Sequence, residues 1–174
     1  MSAQHEEHAL GELLAFLQRH QLTIITAESC TGGLVSAKMA AVPHSGSVLT
    51  GGFVCYAPEV KHACLGVNEQ TMDRHGLTSE EVAGEMALGA LQRSPARIAI
   101  SNTGLADAPA RSTPPVPPGT VCFGWALRTV EGPILATETR IFNGDRNEVR
   151  QAAAMHSLLA IPAWYRKQAA LHRI

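Results

Sequence analysis

The stretch "TAESCTGGL", residues 26–34, sets a hydroxyl, a thiol and a second hydroxyl (Ser29, Cys30, Thr31) between the carboxylate of Glu28 and a pair of glycines, Gly32 and Gly33. Three uses are open to such a cluster. A hydroxyl or thiol attacks a carbonyl carbon once a neighbour takes its proton. Small residues at a strand-to-helix turn leave backbone N–H groups bare for a phosphate or an oxyanion. Ser29 or Thr31 can also simply cap a helix. The nucleoside-triphosphate pattern G-x-x-x-x-G-K-[ST] and the dinucleotide pattern G-x-G-x-x-G are both absent. Cys30 competes with Ser29 for the role of nucleophile, because thiolates form readily at helix N-termini.

A serine needs a base, and no histidine stands in a catalytic motif. Lys61 follows Tyr56 in "YAPEVK". A lysine serves as a base when burial lowers its pKa from about 10.4 towards about 7–8. The plain alternative is a solvated lysine at a helix start. "SNTG", residues 101–104, brings another hydroxyl, Thr103, to the end of an apolar run. Ligands of open α/β sheets collect at the carboxyl ends of strands. Three strand ends carrying Ser29, Tyr56 with Lys61, and Thr103 make a site more credible than any one of them does.

Those strand ends need a framework. Leu10, Leu13, Leu14 and Leu17 recur at helical spacing and predict an amphipathic helix over residues 9–17. "LTIITA" predicts a short buried strand, and residues 31–41 a helix that stops near Pro43. "SVLTGGFVCYA" predicts a strand whose glycine pair marks a bend or a close approach. "PEVKHACLG" opens on proline and closes on glycine, as a short helix does, and "NEQTMDRHG" adds a helical turn. Residues 78–94 form the clearest helix, with Thr78 and Glu81 spaced as a capping box and Val82, Ala83, Met86, Ala87, Ala90 and Leu91 on one face. "RIAISNTG" predicts a buried strand. The proline-rich residues 105–119 cannot be regular. "TVCFGWALRTV" and "ILATETRIF" predict a hairpin, and residues 144–160 a helix with Asp145 near its start and Pro162 ending or kinking it. Strands alternate with helices early and pair as a hairpin late. The expected fold is a three-layer α/β/α sandwich around a mixed, mostly parallel sheet, with one domain over residues 1–174.

Bulk properties narrow the function. The chain has 174 residues, 45% of them hydrophobic, and a formal net charge of -1. It can bury roughly 70% of its unfolded surface and builds no field for nucleic acid. No apolar run reaches the roughly 18 residues of a membrane span, and the acidic start is unlike a signal peptide. A cytoplasmic protein is expected. Its four scattered cysteines are expected to be free thiols, with no metal and no cofactor. "HEEH" reads as decoration of an exposed helix, His156 as a packed or interface histidine, and Trp125 and Trp164 as core or interface residues.

Taken together, "TAESCTGGL", "GGFVCYAPEVK", "LGV", "HGLTSEEVAGEMALGAL", "SNTGLA", "PPGTV" and "FNGDRNEVR" resemble, in order, the CinA C-terminal domain, the nicotinamide-nucleotide amidohydrolases. The match covers about residues 10–160, without the molybdopterin-binding-like domain to which such modules are often fused. The resemblance implies hydrolysis of the carboxamide of nicotinamide mononucleotide to nicotinate mononucleotide and ammonia, and assembly as a homo-oligomer. It implies Ser29 as nucleophile, Lys61 as its base, and Tyr56 and Thr103 as their hydrogen-bonding companions. Cys30, Thr31, Gly32, Gly33, Ser45, Gly104 and Arg146 are the implied substrate-binding residues, with Arg146 a candidate phosphate partner. Three places depart from the family pattern. "PHSG", residues 43–46, stands for P-G-S-S and leaves Ser45 or Ser47 to replace a lost serine. Asp107, Ala110 and Arg111 stand in a loop usually rich in glycine, and Pro58 replaces an asparagine. The rival readings are a nucleotide-binding module without catalysis, and an amidohydrolase for a different small amide.

Overall fold

The computed structural model describes residues 3–107 and 116–172. Most of the expected proline-rich loop, with Ala110 and Arg111, falls outside the described residues. In chain order the elements are α1 (Ala3–Arg19), β1 (Ile24–Glu28), α2 (Leu34–Ala40), β2 (Leu49–Val54), α3 (Pro58–Val60), α4 (Glu69–His75), α5 (Glu80–Gln92), β3 (Ile98–Leu105), β4 (Thr120–Leu127), β5 (Ile134–Ile141), α6 (Arg146–Leu159) and α7 (Ile161–His172). A single 3-10 turn, Ser45–Ser47, precedes β2, and α3 runs on into a π-helical turn, Lys61–Leu65.

The five strands lie in the order β2-β1-β3-β4-β5. β1 pairs in parallel with β2 and β3, whereas β4 is antiparallel to both β3 and β5. All strands but β4 therefore run the same way, as expected of a mixed, mostly parallel sheet. Side chains alternate across each strand, and the two faces feed two cores. One gathers Leu13 and Leu17 of α1, Met39 of α2, Ile24, Phe123, Trp125, and Val149 and Leu158 of α6. The other gathers Leu65, Met72, and Val82, Met86 and Ala90 of α5 against Ile25, Ala27 and Ala99. Fully burying each large side chain contributes about 1.5–3 kcal/mol. The result is the expected α/β/α sandwich. Among the described residues no helix is long and apolar enough to cross a membrane, and no group of His, Cys, Asp and Glu could hold a metal.

Two local expectations shift. The helix after β1 begins at Leu34 rather than near Thr31, because Gly32 (φ 60°) and Gly33 (φ 98°) take left-handed conformations that a helix cannot contain. The cap of α5 is Ser79, whose extended backbone lets its Oγ accept from Val82 N at 3.3 Å; Thr78 lies one residue too early. The full capping box belongs to α6, where Asp145 and Glu148 satisfy each other's backbone. Pro162 falls in the first turn of α7, where its missing N–H costs nothing, so it starts a second helix after the break at Ala160. Gly52 answers for the glycine pair in β2, since a Cβ there would lie 2.5 Å from Thr26 Oγ1.

Candidate active site

β1 sets the site by alternation. Ile25 and Ala27 face the α5 layer, so Ile24, Thr26 and Glu28 face the α2 layer. Just past the strand end, Ser29 returns to the α5 side. Lys61 arrives there from the π-helical turn, which Leu65 anchors in the α5-side core.

Lys61 is 1% exposed and Ser29 7%. Lys61 Nζ lies 2.8 Å from Ser29 Oγ, 2.9 Å from the Cys55 carbonyl and 3.0 Å from the Tyr56 carbonyl. An ammonium has three protons for these three acceptors. A neutral amine keeps two N–H bonds to the carbonyls and turns its lone pair on the serine hydroxyl. The same geometry therefore serves both protonation states. Burial pushes the Lys61 pKa down to about 8, against smaller opposing contributions from Cys55 and Cys30. None of its bonding partners is a carboxylate that would hold the proton in place.

The other side of the turn is occupied by Glu28, fully buried. Its carboxylate accepts from Thr26 Oγ1 (3.1 Å), Thr31 Oγ1 (2.7 Å), Ser36 Oγ (2.7 Å) and the amides of Gly33, Val35 and Ser36 (2.9, 3.0 and 2.9 Å). Glu28, not Ser29 or Thr31, caps α2, and it fills the place an external phosphate would take. Gly32 N donates to Ser29 O at 3.0 Å. Of the turn amides expected to bind an oxyanion, only those of Cys30 and Thr31 have no acceptor on another described residue, and the Cys30 N–H also faces its own sulfur.

Cys30 looks away from Lys61. Its Sγ donates to Asn102 Oδ1 at 3.5 Å, and burial pushes its pKa up to about 12, so it is a thiol at neutral pH. Thr31 Oγ1 also lies 2.9 Å from Asn102 Oδ1, while Asn102 Nδ2 has no partner among the described residues. Turning that amide over would let it donate to Thr31 and leave the threonine proton to Glu28.

The remaining expected residues scatter. Tyr56 meets Lys61 through its carbonyl; the residue is 58% exposed and its phenol oxygen accepts from Arg146 Nη2 at 2.8 Å. Arg146 Nη1 is bound to Asp107 at 2.9 Å. The Thr103 hydroxyl donates to Leu77 O at 2.7 Å and so ties β3 to the segment before α5 rather than touching Ser29 or Lys61. Gly104 is needed for strand packing: a Cβ there would lie 2.6 Å from Thr120 O. Ser45 precedes β2, which runs parallel to β1, so it sits at the amino edge of the sheet, opposite Ser29; its hydroxyl donates to Ala40 O at 3.4 Å. Ser47 stands in the same turn, bonded to His44 O.

Arg150 of α6 was not anticipated. Its Nε donates to Cys30 O at 3.0 Å, its Nη2 to Thr31 O at 2.9 Å and its Nη1 to Asn147 Oδ1 at 3.2 Å. The available signal was its spacing: in "GDRNEVR" it lies four residues after Arg146, on the same helix face. His156 packs edge-on against Phe123 and Trp125 and bonds Glu138, and burial lowers its pKa. Trp125 is buried with its indole N–H on Ser157 O, and Trp164 packs against the same core.

Comparison with known proteins agrees with this framework. A Symbiobacterium thermophilum protein whose name refers to competence-damage induction is 46% identical over 158 residues, 88% of this chain and 36% of that protein. The CinA-like protein of Chlorobaculum tepidum is 42% identical over 147 residues, 82% of this chain and 34% of that protein. The chain thus spans about a third of the length of the curated relatives it matches. A crystal structure of a CinA superfamily protein from Escherichia coli superposes with a TM-score of 0.84 at 31% identity, covering 92% of this chain and 91% of that one. Residues 6–163 match the family described as CinA C-terminal domain, and the chain belongs to that family.

Proposed function

We propose that the protein is a serine–lysine amidohydrolase acting on a small carboxamide, with nicotinamide mononucleotide the substrate that the resemblance implies. The observation that carries this reading is the buried Lys61 amine, 2.8 Å from Ser29 Oγ, with carbonyls to hold its N–H bonds. Ser29 Oγ attacks the amide carbon as its proton passes to Lys61. The tetrahedral oxyanion accepts from the Cys30 and Thr31 amides; one such donor typically lowers the barrier by about 3–4 kcal/mol. The C–N bond breaks, and Lys61 returns the proton to the departing ammonia. Water then attacks the acyl ester with Lys61 as base, the ester C–O bond breaks, and Ser29 is restored as the carboxylate leaves.

The deciding experiment incubates the protein with nicotinamide mononucleotide and measures ammonia and nicotinate mononucleotide. Release by the wild type that disappears in Ser29→Ala is expected. No release at any workable enzyme concentration would sink the mononucleotide reading. The ion pair between Arg146 and Asp107 favours a second reading, a different small amide, because the guanidinium offered for a phosphate already carries a carboxylate. For that pair, exposed on both sides and worth about 0–1 kcal/mol, Asp107→Asn would raise kcat/KM for the mononucleotide about twofold to fivefold and leave an uncharged amide unaffected.

A further inference from the structure

We propose that Arg150 is a positioning residue that aims the Thr31 amide at the reacting carbonyl oxygen; this rests on the serine–lysine reading above. In a planar trans peptide the C=O and N–H bonds point in opposite directions. By holding Cys30 O at 3.0 Å, Arg150 Nε fixes the plane whose other edge is the Thr31 N–H. By holding Thr31 O at 2.9 Å, Nη2 fixes the next plane, whose Gly32 N–H closes the turn on Ser29 O at 3.0 Å. Arg150 comes from α6, packed on the face of the sheet opposite the Lys61 turn. The carbonyls of the turn therefore point to α6, and the Thr31 N–H points away from it, towards the side where Ser29 meets Lys61.

Two further facts support this. The rigid guanidinium fork makes both carbonyl bonds from one planar group, which a lysine ammonium cannot copy. Gly32, at φ 60°, passes so close beneath it that a Cβ would lie 3.3 Å from Nη2. Arg150 forms no ion pair among the described residues; its donors go to the turn and to Asn147. The cation that the helix supplies is used to orient main chain.

The test is steady-state ammonia release from nicotinamide mononucleotide by wild type, Arg150→Ala and Arg150→Lys, together with the rate at which a fluorophosphonate labels Ser29. In that labelling Ser29 Oγ forms a bond to phosphorus, fluoride leaves and the seryl proton goes to Lys61. Arg150→Ala is expected to lower kcat about 30-fold, less than outright loss of a donor, with KM changed by less than about threefold. The lysine limb of the pH profile should stay where it is, while Arg150→Lys or added guanidinium ion restores part of the rate. Labelling should slow in parallel. An unchanged kcat in Arg150→Ala overturns the proposal. So does a joint shift of KM, pH limb and melting temperature, which marks a merely structural arginine. Should the wild type hydrolyse no amide, the functional reading falls, but equal labelling of wild type and Arg150→Ala would still overturn the role given to Arg150.

Discussion

Two buried ionisable groups flank the end of β1, and they are treated in opposite ways. Glu28, on the α2 side, meets six donors from Thr26, Thr31, Gly33, Val35 and Ser36. Lys61, on the α5 side, meets two carbonyls and a hydroxyl and, among the described residues, no opposite charge at hydrogen-bond distance. Burying a charge is tolerated where hydrogen bonds replace its hydration. Glu28 has that replacement and serves as a structural anchor. Lys61 has it only in part, and its proton is correspondingly easy to remove. On the two sides of one strand end, the fold surrounds the carboxylate with donors and leaves the amine able to give up its proton.

Removing the reactive member should have the largest effect. Lys61→Ala is expected to lower amide hydrolysis by about a thousandfold or more, the scale of general-base loss, with cooperative unfolding retained. A variant that keeps a tenth of the activity would take Lys61 out of the proton transfer. Breaking the firm member should show in stability instead. Glu28→Gln turns part of an acceptor into a donor facing other donors, and should cost about 3 kcal/mol in urea unfolding. An unchanged midpoint would mean that the six contacts are not what holds the turn.

The pH profile sharpens the contrast. Lys61 must be neutral to accept a proton, and burial sets its pKa near about 8. Activity should therefore rise about tenfold per pH unit below that value and level off above it. Stability should move in the same direction over a higher window. The unfolded chain keeps the lysine proton up to about 10.5 and the folded chain gives it up at about 8. Between these values the unfolded state binds more protons, so stability rises with pH by about 3 kcal/mol across the window. Lys61→Met should flatten that rise. An activity profile flat from pH 6.5 to 9 would leave the lysine without its role. The smallest effect is expected at Cys30, whose thiol faces Asn102. Cys30→Ala should change kcat by less than about threefold, and a collapse comparable to that of Ser29→Ala would move the nucleophile to sulfur.

Much of this frame could be read before the fold was known, because it rests on local pattern. The apolar runs gave β1 and β3, the helical spacing of leucines gave α1, and Pro58 with Gly66 bracketed the turn that carries Lys61. The proximity of Ser29 and Lys61 followed from strands ending together. What escaped was decided by distant partners. Glu28 reads as an ordinary acid beside a serine, and its burial depends on two left-handed glycines delaying α2 until its amides surround the carboxylate. Arg150 reads as a surface arginine until α6 is laid against α2. Thr103 lies at the right strand end, yet its hydroxyl is taken by Leu77 O, a choice that no local spacing encodes. Ser45 stood close in sequence to the second strand, but the parallel pairing carries it to the far edge.

The carboxylate of Glu28 has one more consequence. A loop that waits for its ligand to supply the anion must be ordered by that ligand, and part of the ligand's affinity is lost in doing so. Here the chain brings the counter-charge itself, so the loop is preorganised before anything enters. On the proposed amide hydrolysis, the substrate's binding energy would remain available for strain and alignment at the scissile bond instead of for assembling the catalyst.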